Sequence, residues 1–514
     1  MTERGEVVAA RFGRWRDDLL VAAALLLPLA LYLVRERQIA GAQGFPLDDS
    51  WIHLQFARNL AAGAGFSYNP GEPVAGSTAP LWTLLLGAGA VVASASLATA
   101  KVIGVIATLA TALITRRAAL AWGTRPDVAL VAAITLVWMG PLAWGALSGM
   151  EVSLAAMLVA AALLAHARDR LLVSAACAAL AVLARPEALL LVPLLVAARP
   201  LTLRRVAVFS AITVIVVAPA VLFSLSTAGT PYPATAAAKV EGGLVGWLGG
   251  VREPAAVTWI ERPAAFFKEW LVWLATTHWL LPIALVPALI LGWRRVGRAL
   301  GLVELALVAH PLGMALLAPY RGPAFQEGRY SIHLLPLAVL AIAVAVGSPG
   351  TDRAAAAAPA PGRRRWVLGL AAAAWLAIAA ATLVPAATRY AWGVQNINAM
   401  QVHLGRWVDA QLPKSARIAL NDIGAIAFFS RRDVIDLMGL VTPEIIPYRR
   451  RGESGVMDYI SETCPDYVII FPAWFPRLAA STETLQPIYN VRLERNEVAG
   501  APEMVVYRLL RCAV

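Results

Sequence analysis

Charged residues are scarce in this sequence. Only 15% of its 514 residues are Asp, Glu, Lys or Arg, whereas 59% are hydrophobic. Soluble domains are about 25% charged and about 45–50% apolar. A soluble core of this length would not need so many apolar residues. The composition therefore excludes an ordinary soluble protein and favours a chain whose apolar segments lie in a bilayer.

Cysteine and histidine are also scarce, with three and six copies. Cys177 lies in an apolar run, so only Cys464 and Cys512 could form a disulfide in the C-terminal region. Three cysteines cannot form the framework of a disulfide-rich protein, and neither they nor the histidines have the spacing of zinc ligands. The sequence predicts no metal ligands and no certain cofactor, and it leaves a divalent cation open.

The net charge of +12 is unevenly distributed. Residues 387–514 contain 14 Lys or Arg and 13 Asp or Glu, a net charge of +1, and residues 1–386 contain the other 30 and 19, a net charge of +11. The basic residues of the longer part form short clusters between apolar runs, which is the positive-inside pattern of membrane proteins. A nucleic-acid-binding protein would instead have a basic patch on a soluble domain, so we predict no nucleic-acid partner.

The apolar runs predict a polytopic α-helical membrane protein with about 11–13 spans. The basic clusters predict a bacterial-type inner (cell) membrane location, with the N-terminus in the cytoplasm, an odd number of crossings and the C-terminal region in the periplasm or outside the cell. One difficulty remains in this count. An odd number of crossings is needed between Ser77 and Arg116, yet two apolar runs lie there, at about 79–97 and 101–116. One of them must be re-entrant or not a span.

The first apolar run, from about Leu19 to Val34, follows a basic segment. This pattern has two interpretations. A cleaved signal peptide would use the weak site at Ala40-Gly41-Ala42, whereas a signal-anchor helix would keep its basic end in the cytoplasm. The length of the run and the many spans after it favour the anchor.

The chain divides into two parts by composition. Residues 1–386 predict a transmembrane domain whose first external loop is 36–78. Residues 387–514 predict a soluble extracytoplasmic α/β domain. Its helices are expected at 403–412 and 455–463, and its strands at 417–429, 465–471, 487–494 and 503–510.

Two adjacent carboxylates, Asp48 and Asp49, follow the first span. An amphipathic helix follows them, from about Ser50 to Ala61. A carboxylate beside the bilayer can deprotonate an acceptor hydroxyl in glycosyl transfer, and two adjacent carboxylates repel, which raises one pKa toward a useful range. The alternative is structural, because either aspartate could cap the helix that follows.

The segment around these aspartates contains a longer motif. Its parts are Asp48-Asp49, Arg58-Asn59-Leu60, Gly65, Tyr68-Asn69-Pro70-Gly71-Glu72 and Gly76-x-Thr78 before a span with Trp82. The stretch 45–85 resembles the first external loop of the GT-C superfamily of polyprenyl-phosphate-sugar-dependent membrane glycosyltransferases. It is most similar to the mycobacterial terminal arabinofuranosyltransferase group and to the RgtA/B/C/D-like and protein mannosyltransferase families. Those arabinofuranosyltransferases often have Glu and Asn where this chain has Ala75 to Thr78, so the resemblance predicts no particular sugar.

Weaker similarities to the superfamily occur in three more segments, Leu147–Glu151, Arg185-Pro186-Glu187 and Gly328-Arg329-Tyr330. The resemblance implies that Arg329 meets a lipid phosphate, for which a guanidinium is suited. For Arg185 and Glu187 a structural ion pair is as plausible as substrate contact. The predicted catalytic residues are Asp48 and Asp49, and the predicted substrate-binding residues are His53, Arg58, Asn69, Glu72, Glu151, Arg185, Glu187, Lys239, Arg329 and Tyr330.

The resemblance implies an inverting glycosyltransferase at the outer face of the membrane. It would move a sugar from a polyprenyl-phosphate donor to a cell-envelope glycan, lipid or protein acceptor. Two alternatives stay open at this point. A transporter or flippase of lipid-linked sugars would need paired internal repeats, and a non-catalytic envelope assembly protein would not need the acidic pair.

Overall fold

The computed structural model of the protein describes residues 3–239, 242–348 and 361–512. The Ala/Pro-rich stretch 351–360, predicted as part of a flexible cytoplasmic loop, lies outside the described residues.

The part before residue 400 is helical. Its helices are α1 Glu3–Ala40, α2 Asp49–Ala61, α3 Pro80–Ala93, α4 Leu97–Ala121, α5 Pro126–Trp138, α6 Gly140–Leu147, α7 Val152–Ala167, α8 Leu171–Ala184, α9 Leu191–Ala197, α10 Leu203–Ala228, α11 Ala234–Ala237, α12 Gly243–Leu248, α13 Arg262–Thr277, α14 Leu281–Val296, α15 Arg298–Glu304, α16 Ala306–Leu317, α17 Phe325–Gly328, α18 Leu335–Gly347 and α19 Pro361–Ile397.

Helices α1 and α4 run antiparallel, because ion pairs join them at both ends. Arg116, near the end of α4, pairs with Asp17 and Asp18 near the start of the apolar part of α1. At the other end, Lys101 donates to Glu36 over 2.8 Å. Since α4 starts at the level where α1 ends, α3 must begin and end on that same side. The run at 79–97 is therefore the one that does not cross, which resolves the difficulty in the sequence count.

Helices α7, α8 and the segment through α9 also connect the same two levels. Arg185, after α8, pairs with Glu151 just before α7. Arg199, after α9, donates to the carbonyl of His166 at the end of α7 over 3.0 Å. These three segments are apolar helices of 10–17 residues, shorter than the usual span. Their contacts nevertheless carry the chain from one level to the other three times.

Among the described residues, six single helices are long and apolar enough to cross a membrane, and two bent helix pairs qualify if each is one span. The pairs are α5 with α6, bent by 57°, and the helix Val257–Thr277 with α14, bent by 106°. Counting α7, α8 and the segment through α9, but not α3, gives eleven crossings. This count is odd and lies within the predicted range, so the polytopic helical fold is confirmed.

The C-terminal part forms a small α/β domain, which we call the outer domain (residues 398–512). Its five-stranded sheet has the order β2-β1-β3-β5-β4, with β1 parallel to β2 and β3, and β5 antiparallel to β3 and β4. Helix α19 extends past residue 386 to Ile397 and leads directly into the outer domain. Its elements are α20 His403–Gln411, β1 Ile418–Leu420, α21 Gly424–Ser430, β2 Val434–Asp436, α22 Ile446–Arg449, α23 Glu453–Thr463, β3 Tyr467–Ile470, α24 Pro476–Ala479, β4 Leu485–Arg492 and β5 Glu503–Leu509.

The predicted elements of the outer domain occur with one correction. The strand predicted at 417–429 ends at Leu420, and α21 follows it. The chain leaves the sheet at Asn421, whose side-chain oxygen accepts from the amide of Phe471 over 3.1 Å. A disulfide joins Cys464 to Cys512, as the cysteine positions allow.

The outer domain and the first external loop share one hydrophobic core. Leu404, Ile423 and Ile426 of the outer domain pack in the same buried cluster as Ile52 and Phe56 of α2. A buried cluster of this kind excludes water from both partners and resists separation. The first external loop is therefore held between the transmembrane helices and the outer domain.

Candidate active site

The two adjacent aspartates point into different surroundings. Helix α2 starts at Asp49, and the side chain of Asp48 makes no capping bond to it. Asp48 instead accepts two bonds from the outer domain, from the amides of Gly424 over 2.6 Å and Ala425 over 2.7 Å. The helix-cap interpretation is therefore wrong for Asp48.

Asp49 faces a cavity and forms an ion pair with Arg329. Arg329 Nη1 donates to Asp49 Oδ2 over 2.6 Å, and Arg329 Nη2 donates to the hydroxyl of Tyr330 over 3.2 Å. The Arg329 side chain is 5% exposed, whereas that of Asp49 is 35% exposed. Asp49 thus keeps an accessible oxygen beside a fixed positive charge, which suits a group that must accept a proton from a substrate.

A second network of charged side chains also lines the cavity. Arg185 pairs with Glu151, and it also donates to both oxygens of Glu187 over 2.9 and 3.1 Å. His53 Nε2 lies 3.4 Å from Glu151 Oε2, and its Nδ1 lies 3.1 Å from the hydroxyl of Thr83. The Arg185 guanidinium lies over the ring of Tyr330. The guanidinium groups of Arg185 and Arg329 thus both lie close to the ring of Tyr330, 4.7 and 5.1 Å from its centre.

The cavity has a volume of about 700 Å³. Four cationic side chains line it, together with three carboxylates, so its lining has a surplus of one positive charge when histidine is neutral. These charged residues are Arg185, Lys239, Arg321 and Arg329, with Asp49, Glu151 and Glu187. A second part of the lining is apolar and comes mainly from the segment through α9 and from α16: Leu189, Leu190, Pro193, Met314, Leu317 and Ala318.

Eight of the twelve predicted site residues line this cavity. They are Asp49, His53, Glu151, Arg185, Glu187, Lys239, Arg329 and Tyr330. They come from segments up to about 280 residues apart, since Asp49 and Arg329 are separated by that many positions. The helices α2, α7 and α8 and the segment before α18 bring them together.

The other four predicted residues lie outside the cavity, at the contact with the outer domain. Arg58 donates to the carbonyl of Phe428 over 2.7 Å. Asn69 exchanges two 3.0 Å bonds with the backbone of Val434, and Glu72 accepts from Asn69 over 2.9 Å. Asp48 is the fourth. The structure does not bring these residues to the cavity that contains Asp49.

The sequence reasoning missed several residues of the cavity. Arg321 and Tyr320 lie between α16 and α17, and Tyr232 and Thr235 lie near α11. For Arg321 a signal was present, because a basic residue in an external segment runs against the positive-inside trend. For Thr235 no sequence signal was present, since its role depends on a contact with the carbonyl of Gly76 over 2.5 Å.

The environments of the two aspartates shift their pKa values in opposite directions. Burial raises the pKa of Asp48 well above its usual value, nearby Asp422 raises it further, and the two amide bonds oppose this. Burial also acts to raise the pKa of Asp49, but the charges of Arg329 and Lys239 outweigh it, and the net shift is downward. The surroundings of Asp49 therefore favour its ionised form, which a general base needs.

The described part of the chain contains no group of three or more His, Cys, Asp or Glu side chains that could hold a metal ion. In the cavity itself, the carboxylates of Asp49, Glu151 and Glu187 are each paired with an arginine.

Solved structures resemble the whole chain. ArnT from Cupriavidus metallidurans in the apo state matches at a TM-score of 0.59 and 13% identity, over 95% of this chain and 98% of that chain. ArnT bound to undecaprenyl phosphate matches at 0.59 and 12%, over 94% and 97%. The archaeal oligosaccharyltransferase AglB from Archaeoglobus fulgidus, in complex with an inhibitory peptide and a dolichol-phosphate, matches at 0.56 and 12%, over 92% and 73%. Both are GT-C glycosyltransferases. This chain has the GT-C fold.

The GT-C fold was implied by the residues of the first external loop, and the structural matches confirm it. A mycobacterial arabinofuranosyltransferase, AftD, also matches, at 17% identity over 95% of this chain and 41% of that chain, but its TM-score of 0.45 is too low to support an argument. Residues 395–507, the end of α19 and most of the outer domain, match a family described as a domain of unknown function, DUF8728. No curated protein matches the chain in sequence.

Proposed function

We propose that this GT-C protein is an inverting glycosyltransferase that moves a sugar from a polyprenyl-phosphate donor to an acceptor hydroxyl. One observation carries the proposal: Asp49 and Arg329 lie side by side in a cavity whose lining combines charged and apolar side chains. A transporter would not need a carboxylate held ionised by a neighbouring guanidinium, and an assembly protein would not need a cavity of this size.

The cationic side chains of the cavity suit the phosphate of such a donor. Arg185 is neutralised by two carboxylates, and Arg329 is paired with Asp49. Lys239 and Arg321 remain to balance an added phosphate, and both lie next to the ring of Tyr320. Arg329 can also donate to a phosphate oxygen, because a guanidinium has five N–H groups and its bond to Asp49 uses one.

The apolar side chains of the cavity suit the lipid chain. They include Leu189 and Leu317, which are 52% and 51% exposed. Both belong to helical segments that cross the apolar region, where a lipid chain can reach them. A polyprenyl chain could therefore leave the cavity between them while its phosphate stays inside. Two of the similar solved structures hold ligands of this class, undecaprenyl phosphate in ArnT and a dolichol-phosphate in AglB.

The chemical step follows from this placement. Asp49 takes the proton of the acceptor hydroxyl as the oxygen attacks the anomeric carbon from the face opposite the phosphate. A new glycosidic C–O bond forms, and the bond between the anomeric carbon and the phosphate oxygen breaks. The electron pair stays on the phosphate, whose charge Arg329, Lys239 and Arg321 stabilise. The products are the glycosylated acceptor, with inverted configuration, and the polyprenyl phosphate.

We further propose that the reaction takes place at the outer face of a bacterial-type inner membrane, with a cell-envelope glycan, lipid or protein as acceptor. The Cys464–Cys512 disulfide supports an oxidising compartment for the outer domain. The eleven crossings and the positive-inside pattern support a cytoplasmic N-terminus.

The direct test is transfer by the purified protein from a panel of polyprenyl-phosphate pentoses and hexoses to water-soluble and lipid acceptors. We expect one donor to be used and the free polyprenyl phosphate to appear in equal amount. The matched controls are Asp49→Asn, which keeps the shape of the side chain, and Asp127→Asn, a change at an exposed carboxylate paired with Arg125 on the opposite side of the membrane. Equal turnover by wild type and Asp49→Asn would refute the proposed step.

A further inference from the structure

Asp48 is buried, acidic and not part of the cavity. Its side chain is fully engaged by the outer domain, one oxygen by the amide of Gly424 and the other by that of Ala425. The residue is 7% exposed. An ionised carboxylate can accept from two amides at once, whereas an amide side chain of the same shape can accept at one oxygen only. The contact therefore specifically needs a carboxylate.

The backbone of the outer domain packs directly against Asp48 at Gly424. A Cβ atom on Gly424 would collide with the carbonyl oxygen of Asp48 and would crowd its carboxylate. The residue before it, Ile423, accepts a hydrogen bond at its carbonyl from the hydroxyl of Tyr68, another residue of the first external loop. Position 424 thus needs glycine because of this contact, not because of its own backbone angles.

Asp48 also fixes the start of the helix that contains Asp49. The carbonyl of Asp48 accepts from the amide of Trp51 over 2.9 Å in the first turn of α2. Asp49 follows directly, and its carboxylate lies 2.6 Å from Arg329. A displacement of Asp48 by about 1 Å would move Asp49 by a similar amount, and displacements of this size are known to cost about 100-fold in rate.

We propose that Asp48 is a positioning residue through which the docked outer domain holds Asp49 in its catalytic place beside Arg329. This inference rests on the proposed function for the role of Asp49. The outer domain is then a structural part of the active site. It supplies the two amides that hold Asp48, and its Leu440 lines the cavity.

The first experiment does not depend on catalysis. Hydrogen–deuterium exchange is measured on the full-length protein in detergent for wild type, Asp48→Asn, Asp49→Asn and Gly424→Ala. We expect exchange to rise in residues 421–430 and in residues 45–56 for both Asp48→Asn and Gly424→Ala. Asp48→Asn leaves one of the two amides without an acceptor. Gly424→Ala pushes the outer domain away from Asp48, and either change loosens the start of α2. Asp49→Asn should leave residues 421–430 as in wild type.

A matched control is Asp466→Asn. Asp466 accepts from the amide of Arg417 over 2.8 Å inside the outer domain, so this change removes a similar carboxylate–amide bond away from the cavity. We expect it to leave exchange in 45–56 and turnover unchanged.

The second experiment measures steady-state sugar transfer from the donor that the panel identifies. Asp48→Asn should lower kcat by about 10- to 100-fold and leave KM for the donor within about twofold, because the residues that bind the lipid phosphate are unchanged. Unaltered exchange in 421–430 or in 45–56 for Asp48→Asn would overturn the inference, even if wild type transfers sugar. Raised exchange with full kcat would also overturn it. Failure of wild type with every donor would refute the proposed function, and the exchange data would still decide whether Asp48 holds α2.

Discussion

Asp48 and Asp49 are neighbours in the sequence, but their side chains lie in two regions of the molecule and contact different partners. On one side, Asp48 meets backbone amides of the outer domain and is enclosed by them. On the other, Asp49 meets a guanidinium and an accessible cavity. The same residue type is structural in the first region and, in our proposal, catalytic in the second. The difference lies in the partners, since amides can fill both carboxylate oxygens whereas a single ion pair leaves one open.

The largest expected effect separates the two aspartates by rate. We expect Asp49→Asn to lower turnover by about 10³-fold or more, since general-base catalysis typically contributes 10²–10⁴-fold. The loss of turnover in Asp48→Asn should be at least tenfold smaller than the loss in Asp49→Asn. Initial rates of polyprenyl phosphate release measure both variants. The reverse order, with Asp48→Asn the slower, would break the comparison.

A second prediction contrasts an arginine of the cavity with one of the interface. Arg329→Lys should lower kcat/KM by about 10- to 100-fold, because lysine cannot contact Asp49, Tyr330 and a phosphate at fixed angles. Arg58→Lys keeps the charge beside Phe428 and should change kcat/KM by less than about threefold. The two variants are compared in the same steady-state assay with varied donor. Similar losses for both would show that the cavity and the interface are not functionally distinct.

The acidic pair, its external loop and eight cavity residues could be predicted from the sequence, but the division between the aspartates could not. Successive residues of an α-helix point about 100° apart, so two neighbours at a helix start cannot face one site. The different directions of the two side chains were therefore predictable from the sequence. The partner of Asp48 was not, because Gly424 is 376 positions away. Arg58 and Asn69 likewise contact residues more than 360 positions away, and a single sequence does not show which distant segment covers a loop.

The fold was more predictable than the site. Apolar runs and basic clusters predicted the spans, because the bilayer imposes a length and a charge rule on each of them. Only α3 was ambiguous, since its 14 residues satisfy composition without crossing. Its path became clear from the ion pairs Glu36–Lys101 and Asp18–Arg116, which join residues 65 and 98 positions apart.

A smaller effect is expected for the cations at the edge of the cavity. Arg321→Ala should raise KM for the donor by about three- to tenfold and leave kcat within about twofold, because this residue adds charge for the phosphate but does not touch Asp49. Arg477→Ala, in the outer domain away from the cavity, is the matched control. A fall in kcat with constant KM for Arg321→Ala would mean that Arg321 acts in the chemical step.

The smallest expected effect is a change of the melting temperature with pH, caused by buried aspartates of the outer domain. Burial raises the pKa of Asp422 to about 6, with Asp49 and Asp436 adding to the shift and a hydrogen bond from Gln401 opposing it. Because the folded pKa is above the unfolded value, the protonated form stabilises the fold, and this stability is lost as pH rises through about 6. We expect the melting temperature to fall between about pH 4 and 6, and Asp422→Asn to flatten that fall. Asp436, whose pKa burial also raises to about 6, should account for the remainder. An unchanged slope in Asp422→Asn would exclude Asp422 as a source.

The most direct test of the divided roles is an experimental structure of the full chain with undecaprenyl phosphate bound. Our account predicts the phosphate in the cavity, in hydrogen-bond contact with Arg329 and near Lys239, with Asp49 facing the acceptor side and Asp48 still bound to the amides of Gly424 and Ala425. A phosphate outside this cavity, or Asp48 turned into it and released from the outer domain, would contradict the account.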